Sequence, residues 1–488
     1  MKKSEVRSQK SEVIHPCPPL TKGGWGGDLK GKKALVVGLA RSGVSAVRLL
    51  LREGAKVTVT DTADKDRLAD AISRLKGLSI SYELGSHNLE TFFKSDLIII
   101  SPGVPYKSEY LLKAKENGTP VIGEIELAYH LLKLPVIGIT GTNGKSTATT
   151  LTGELLKVYK RNVFVGGNLG TALSDAVLAD KGWDAAVAEI SSFQLETIKD
   201  FRPMTAVLLN ITPDHLDRYD SMDEYVWAKA RIFENQGKDD FAILNADDAY
   251  TSDIIKNIKS DIILFSRLKS VERGVYIKGG DVVSNISGKN EIVIKTDELG
   301  IKGVHNIENA MASIAAVQLS GCPLEYMKPV LKKFSGLEHR LELVKIIDGI
   351  KYINDSKGTN VGAVVKSLEG FSDPVILIAG GLDKGGDFTP LKDLVKEKVK
   401  RLILIGKAKE KIADAIGGLT DTIFASSLED AVNIASHKAD KGDVVLLSPA
   451  CASFDMFKNF EERGRVFKEA VNRLTGSKGQ GARVKAGV

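Results

Sequence analysis

The chain has 488 residues, 43% hydrophobic and 27% charged, with a net charge of +6. At about 100–200 residues per domain this length calls for three domains, and the composition is that of a globular chain, not a fibrous or low-complexity one. Much of the small basic excess lies at the two ends, so it implies no nucleic-acid face, and no apolar run is long enough to cross a bilayer. Cys17, Cys322 and Cys451 are far apart, which argues against structural zinc and for a reducing compartment. The basic N-terminus has no apolar core behind it, so it does not read as a secretion signal, and a cytoplasmic location is expected.

Residues 1–31 are polar and rich in Gly and Pro, and are expected to be a disordered extension. A βαβ start follows: strand Ala34–Val37, turn Gly38-Leu39-Ala40-Arg41-Ser42-Gly43, a helix from Val44, and a strand ending at Asp61-Thr62. Such a turn reads as a nucleotide site, but Ala40 replaces the middle glycine of a dinucleotide fingerprint and limits how closely a pyrophosphate can approach. Leu97–Ile100 is a buried strand running into Ser101-Pro102-Gly103, a rigid loop at the carboxyl edge of the sheet. Residues 32–123 are therefore expected to form one domain.

The next domain, expected over 124–336, centres on Gly141-Thr142-Asn143-Gly144-Lys145-Ser146-Thr147. An apolar strand enters this stretch and a helix leaves it. Glycines that turn backbone N–H groups inward, a helix start and Lys145 make a phosphate cradle, and Ser146 is placed to hold Mg2+. The strict pattern requires glycine at 139, where this chain has Ile139, so the loop is a shorter variant. Asn168, in Gly166-Gly167-Asn168-Leu169-Gly170, reads equally as a turn residue and as a ligand contact. Glu189 ends a buried strand, where a carboxylate holds Mg2+ or opens a helix. His215 follows another strand and is structural or part of the site. Lys229, on an amphipathic helix, reads as an ordinary solvated lysine. Residues 261–295 are turn-rich and strand-like. Asn306 caps the next helix or, with His305 and Asn309, reaches a base.

The last domain, expected over 337–475, repeats the pattern of polar turns after strands. These are Asn354-Asp355-Ser356-Lys357-Gly358-Thr359-Asn360, Gly380–Gly386 with Lys384, and Ser448–Asp455 with Ser453. His339-Arg340 lies at the join, and residues 476–488 read as a flexible tail. The fold class is α/β: a Rossmann-like N-terminal domain, a central phosphate-loop domain with a mainly parallel sheet, and a Rossmann-like C-terminal domain.

Taken together these stretches resemble the Mur ligases, the ATP-dependent amide ligases of peptidoglycan precursor synthesis, over residues 32–475. Glu189–Glu196, Asn354–Asn360 and Leu447–Ser453 are similar to the branch that adds D-glutamate to UDP-N-acetylmuramoyl-L-alanine. The resemblance implies ATP and Mg2+ as cofactors and an acyl-phosphate route, in a monomer. It implies Lys145 on the β/γ-phosphates, Ser146 and Glu189 on one Mg2+, and His215 and Lys229 serving a second, with Lys229 carbamylated. Asn168 would contact the muramoyl substrate. Asn306 and Asn309 would contact the adenine, and Arg340 and Asp355 would link nucleotide to domain closure. Thr359, Lys384, Ser453 and Phe460 would hold D-glutamate. Leu39–Ser42 and Asp61-Thr62 would lie by uracil and diphosphate, beside Ser101 and Gly103. Gly358 stands where alanine is common in that family, a small change that should be tolerated. Two alternatives are another ligase of the superfamily, such as a folylpolyglutamate synthase, and an NAD-linked protein built on the first domain.

Overall fold

The computed structural model describes residues 28–474 apart from Asp180, Leu216, Asp217 and Lys384. The expectations for residues 1–27, for the tail and for Lys384 lie outside the described residues. Order begins earlier than Lys32: Leu29 is buried, and the Gly31 N–H donates to the Gly54 carbonyl at 2.8 Å.

Three sheets follow one another along the chain, as the α/β reading requires. The first has five parallel strands, with Lys33–Val37 at its centre between Lys56–Asp61 and Leu97–Ile100. Ala34–Val37 and Leu97–Ile100 are continuous apolar runs because both faces of the sheet are covered there. The second sheet has nine strands. Seven are parallel, from Val163–Gly167 at one edge to Gly274–Lys278; Asp281–Ser284 and Glu291–Lys295 add on antiparallel. The turn-rich, strand-like stretch 261–295 thus extends the main sheet. Gly279 and Gly280, at φ +58° and +87°, make the two-residue hairpin that reverses the chain. The third sheet has six strands, with Glu342–Ile347 antiparallel on an otherwise parallel array.

Strand order creates the site. Val136–Thr140 lies between Ala185–Glu189 and Thr205–Leu208, so the carboxyl ends of all three meet at one point. Chain direction across the sheet reverses there, which opens a crevice. Helix Lys145–Lys157 leaves the loop and packs against helix Val304–Leu319, whose small residues Ala310, Ala312, Ala315 and Ala316 permit close approach. Ser313 Oγ donates to the Ala148 carbonyl at 3.2 Å between them. That contact lays Asn309 over the phosphate loop.

Candidate active site

Gly144 adopts φ +84°, and a Cβ there would stand 2.2 Å from Asn309 Oδ1. Conformation and crowding both demand glycine at this position. Ile139 is buried within the strand, so the loop turns only from Gly141. The Thr142 hydroxyl bonds to the Thr212 carbonyl and the Tyr225 hydroxyl, and the Asn143 N–H donates to Asn210 Oδ1 at 2.8 Å. The loop is therefore braced by the adjacent strand end. Ser146 and Thr147 are buried in the first helical turn, and Thr147 Oγ1 has no hydrogen-bond partner among the described residues.

Two amines converge on one carbonyl. Lys145 Nζ donates to the Gly141 and Thr142 carbonyls at 2.9 and 2.8 Å. Lys229 Nζ donates to the same Gly141 carbonyl at 2.9 Å. Lys229 is 2% exposed, which corrects its reading as a solvated lysine. Burial, then the charge of Lys145, holds its pKa well below the ordinary lysine value. Burial lowers Lys145 too, opposed by Glu189 and Asp214.

Glu189 ends its strand buried, and Oε1 accepts from Asn168 Nδ2 at 2.7 Å. Oε2 is buried without a hydrogen-bond partner among the described residues. Glu189 is not a helix-capping acid: Ser191 caps the short helix Ser192–Leu195 through a capping box with Gln194. Asn168 is not at positive φ; Gly167 and Gly170 take that role, and the Asn168 side chain points to Glu189. His215 is left-handed at φ +56°, and its ring packs edge-on to Phe193 at 4.7 Å.

Opposite the loop lies the C-terminal domain. A pocket between the two domains is lined by Asn143, Gly144, Asn309, Arg340, Asp355 and Lys357, among others. Asn306 does not cap its helix. Gly303 is the cap residue, and Asn306 Nδ2 donates to the Lys302 carbonyl while Oδ1 accepts from Asn309. His305 also lines the pocket, with a buried Nδ1 lacking a hydrogen-bond partner among the described residues, and burial lowers its pKa to about 4. Asp355 accepts from the Ser367 and Ser448 hydroxyls, and burial raises its pKa to about 6. Lys357, given no role from sequence although it stands in a quoted motif, lies 3.9 Å over the Phe460 ring. Ser453 is buried, and Thr359 and Phe460 are half-buried on the same edge of the third sheet.

The remaining residues lie on the first domain. Asp61 binds the Leu39 and Ala63 N–H groups at 2.8 Å each, and Ser101 Oγ donates to the Gly38 carbonyl at 2.7 Å. Both side chains thus brace the glycine turn. Ala40, Thr62 and Gly103 are exposed around it, with Ser42 half-buried. Arg41 Nη2 reaches across to the Asn168 carbonyl at 2.7 Å. Arg218, which sequence reading passed over, donates to the Pro102 carbonyl and to Glu196, joining the first two domains.

A phosphate loop at the switch point of a parallel sheet, flanked by two α/β domains, defines a three-domain phosphate-loop protein. Family models match its three parts: a MurD-like Mur ligase N-terminal domain over 32–123, the Mur ligase middle domain over 139–317 and the Mur ligase glutamate ligase domain over 339–451. The chain belongs to the Mur ligase family. It is 50% identical to a UDP-N-acetylmuramoylalanine–D-glutamate ligase of Geotalea uraniireducens, over 93% of this chain and 100% of that one. It is 45% identical to the Pelotomaculum thermopropionicum ligase of the same name, over 92% and 99%. A pseudomurein peptide ligase type C from Methanothermus fervidus shares the fold at TM-score 0.60 and 21% identity, over 91% and 100% of the two chains. The MurF ligase from Thermotoga maritima does so at 0.57 and 17%, over 91% and 95%.

Proposed function

We propose that the chain adds D-glutamate to UDP-N-acetylmuramoyl-L-alanine, using ATP, through an acyl phosphate. The meeting of the phosphate loop, the Glu189 carboxylate and the polar turns of the third sheet at one junction carries this reading. Its choice of substrates rests on the relatives named D-glutamate ligases. In the first step a carboxylate oxygen of the L-alanine unit attacks the γ-phosphorus, and the bond to the β–γ bridging oxygen breaks to release ADP. The amine of D-glutamate then attacks the acyl carbon, and phosphate leaves with the carboxylate oxygen while the amine gives up a proton.

Attack of one anion on another needs charge cancellation. Lys145 supplies it at the β/γ-phosphates and Arg340 from the pocket's far side. The buried, unpartnered Glu189 Oε2 and the hard oxygen donors around it fit Mg2+, with Ser146 as co-ligand and with His215 and a carbamylated Lys229 serving a second ion. Bound there, Mg2+ would neutralise phosphate charge. Lys229 suits carbamylation because its depressed pKa favours the neutral amine that adds to CO2, releasing one proton. Asn306 and Asn309 hold the adenine end, and Asp355 links the Arg340 join to the third sheet. Asn168 faces the muramoyl carboxyl end. Leu39–Ser42, Asp61-Thr62, Ser101 and Gly103 form the uridine diphosphate side, and Thr359, Lys384, Ser453 and Phe460 the amino-acid side. The chain acts as a monomer in the cytoplasm. Substrate carrying 18O in the L-alanine carboxylate tests the route: one label should appear in released phosphate. Label found only in the amide product and recovered substrate would rule out the acyl phosphate.

A further inference from the structure

Asn360 uses both ends of its amide. Oδ1 accepts from the Ala363 N–H at 2.8 Å and caps helix Val361–Glu369. Nδ2 donates to Asp214 Oδ2 at 3.1 Å, across the junction between the C-terminal and central domains. Asp214 precedes His215, and its other oxygen accepts the His215 N–H at 3.0 Å. Among the described residues no ion pair crosses this junction, and the Asn360–Asp214 bond is the one hydrogen bond that does. The helix start is also pressed onto the central loops: a Cβ on Gly362 would lie 3.3 Å from Thr212 Oγ1.

We infer that Asn360 is a positioning residue, a latch that seats the amino-acid-bearing turn 355–360 of the C-terminal domain against the His215 loop. This rests on the proposed function for the meaning of the turn, but not for the existence of the latch. Capping needs only an acceptor oxygen, whereas the clasp needs a donor facing a carboxylate. The two roles therefore separate. Asn360→Asp keeps the cap and sets a second carboxylate against Asp214, so the domains should part. Asn360→Ser keeps a cap and only removes the clasp.

The test is small-angle X-ray scattering on the full chain without substrates, with helix content from circular dichroism. Asn360→Asp should raise the radius of gyration with helix content unchanged. The double variant Asn360→Asp with Asp214→Asn, which reverses donor and acceptor, should return it to the wild-type value. Asn360→Ser should fall between. In turnover, Asn360→Ser should raise KM for the amino acid about 10-fold, the scale of a hydrogen bond to a charged group, with a smaller fall in kcat. A radius of gyration equal to wild type in both single variants, or no recovery in the double variant, overturns the latch. Should Asn360→Asp not fold, Asn360→Ser decides through the same comparison. D-glutamate failing as substrate for the wild-type chain would instead overturn the function and leave the scattering result standing.

Discussion

A buried amine next to a second cation can shed its proton or gain an anionic neighbour. Lys229 has the Gly141 carbonyl and the Tyr225 ring, 4.6 Å from Nζ, as its surroundings. With Lys145 bound to the same carbonyl, the neutral form is favoured. Wild-type protein given 13C-labelled CO2 should show a carbamate carbon resonance that Lys229→Ala lacks. The variant should lose activity by about 10²-fold or more, and bicarbonate should not restore it. Full activity would remove the carbamate from the account. Gly358 makes the opposite point about reading one residue from sequence. A Cβ there would lie 2.7 Å from Asp355 Oδ2 and 2.8 Å from Ser448 Oγ. In this chain Gly358→Ala must displace the carboxylate that accepts the Leu341 N–H. Thermal unfolding should show a loss of about 1–3 kcal/mol, and an unchanged transition would show that the turn relaxes freely.

At the scale of elements, what was legible was local. The phosphate loop, the strand ending at Glu189 and the helix start at Gly303–Asn309 each carry their signal within about a dozen residues, because strand, turn and cap chemistry act between near neighbours. What was not legible depends on partners far along the chain. Lys229 lies on a helix of ordinary composition, and its carbonyl partner is 88 residues away. Asn306 is a local exception: it looks like a cap, but Gly303, three residues earlier, takes that place. Asp61 also braces the glycine turn, through an N–H group 22 residues away at Leu39, a role its local sequence does not show. The turn 355–360 shows how such placement becomes a pH response. Burial first, and then the charge of Arg340, lowers the Lys357 pKa from 10.5 to about 8. Between those values the folded chain binds fewer protons than the unfolded one, so stability rises with pH there and the cost is full below about 8. Lys357→Met should therefore raise the unfolding temperature at pH 7, with the gain vanishing near pH 10.5. ATP affinity should fall, since a pocket cation is lost. A gain independent of pH would place its origin in packing instead.

For the whole molecule, the proposed function divides the work: the central sheet would supply phosphate chemistry and the outer sheets choice of substrate. Arg41, Arg52 and Arg218 tie the first domain to the central one through backbone carbonyls, Lys107 pairs with Asp220 and Glu224 across the same junction, and among the described residues one side-chain amide clasps the third domain. The light contact of the third domain suits a part that opens to load and closes over the site; on the proposed function that closure would keep water from the acyl phosphate. Neither outer domain announces a ligand by a local pattern: the Gly38–Gly43 turn is a poor dinucleotide fingerprint, and the proposed amino-acid side would draw on three separated turns. Sequence physics alone thus reached the phosphate site, and the product was legible only through resemblance. The central claim is the amide bond made to D-glutamate. Phosphate release should be measured with UDP-N-acetylmuramoyl-L-alanine, ATP and Mg2+, supplying one amino acid at a time. The account predicts release with D-glutamate matched one to one by amide product, and none above background with L-glutamate, L-lysine or meso-diaminopimelate. Turnover with another of these and none with D-glutamate would contradict it.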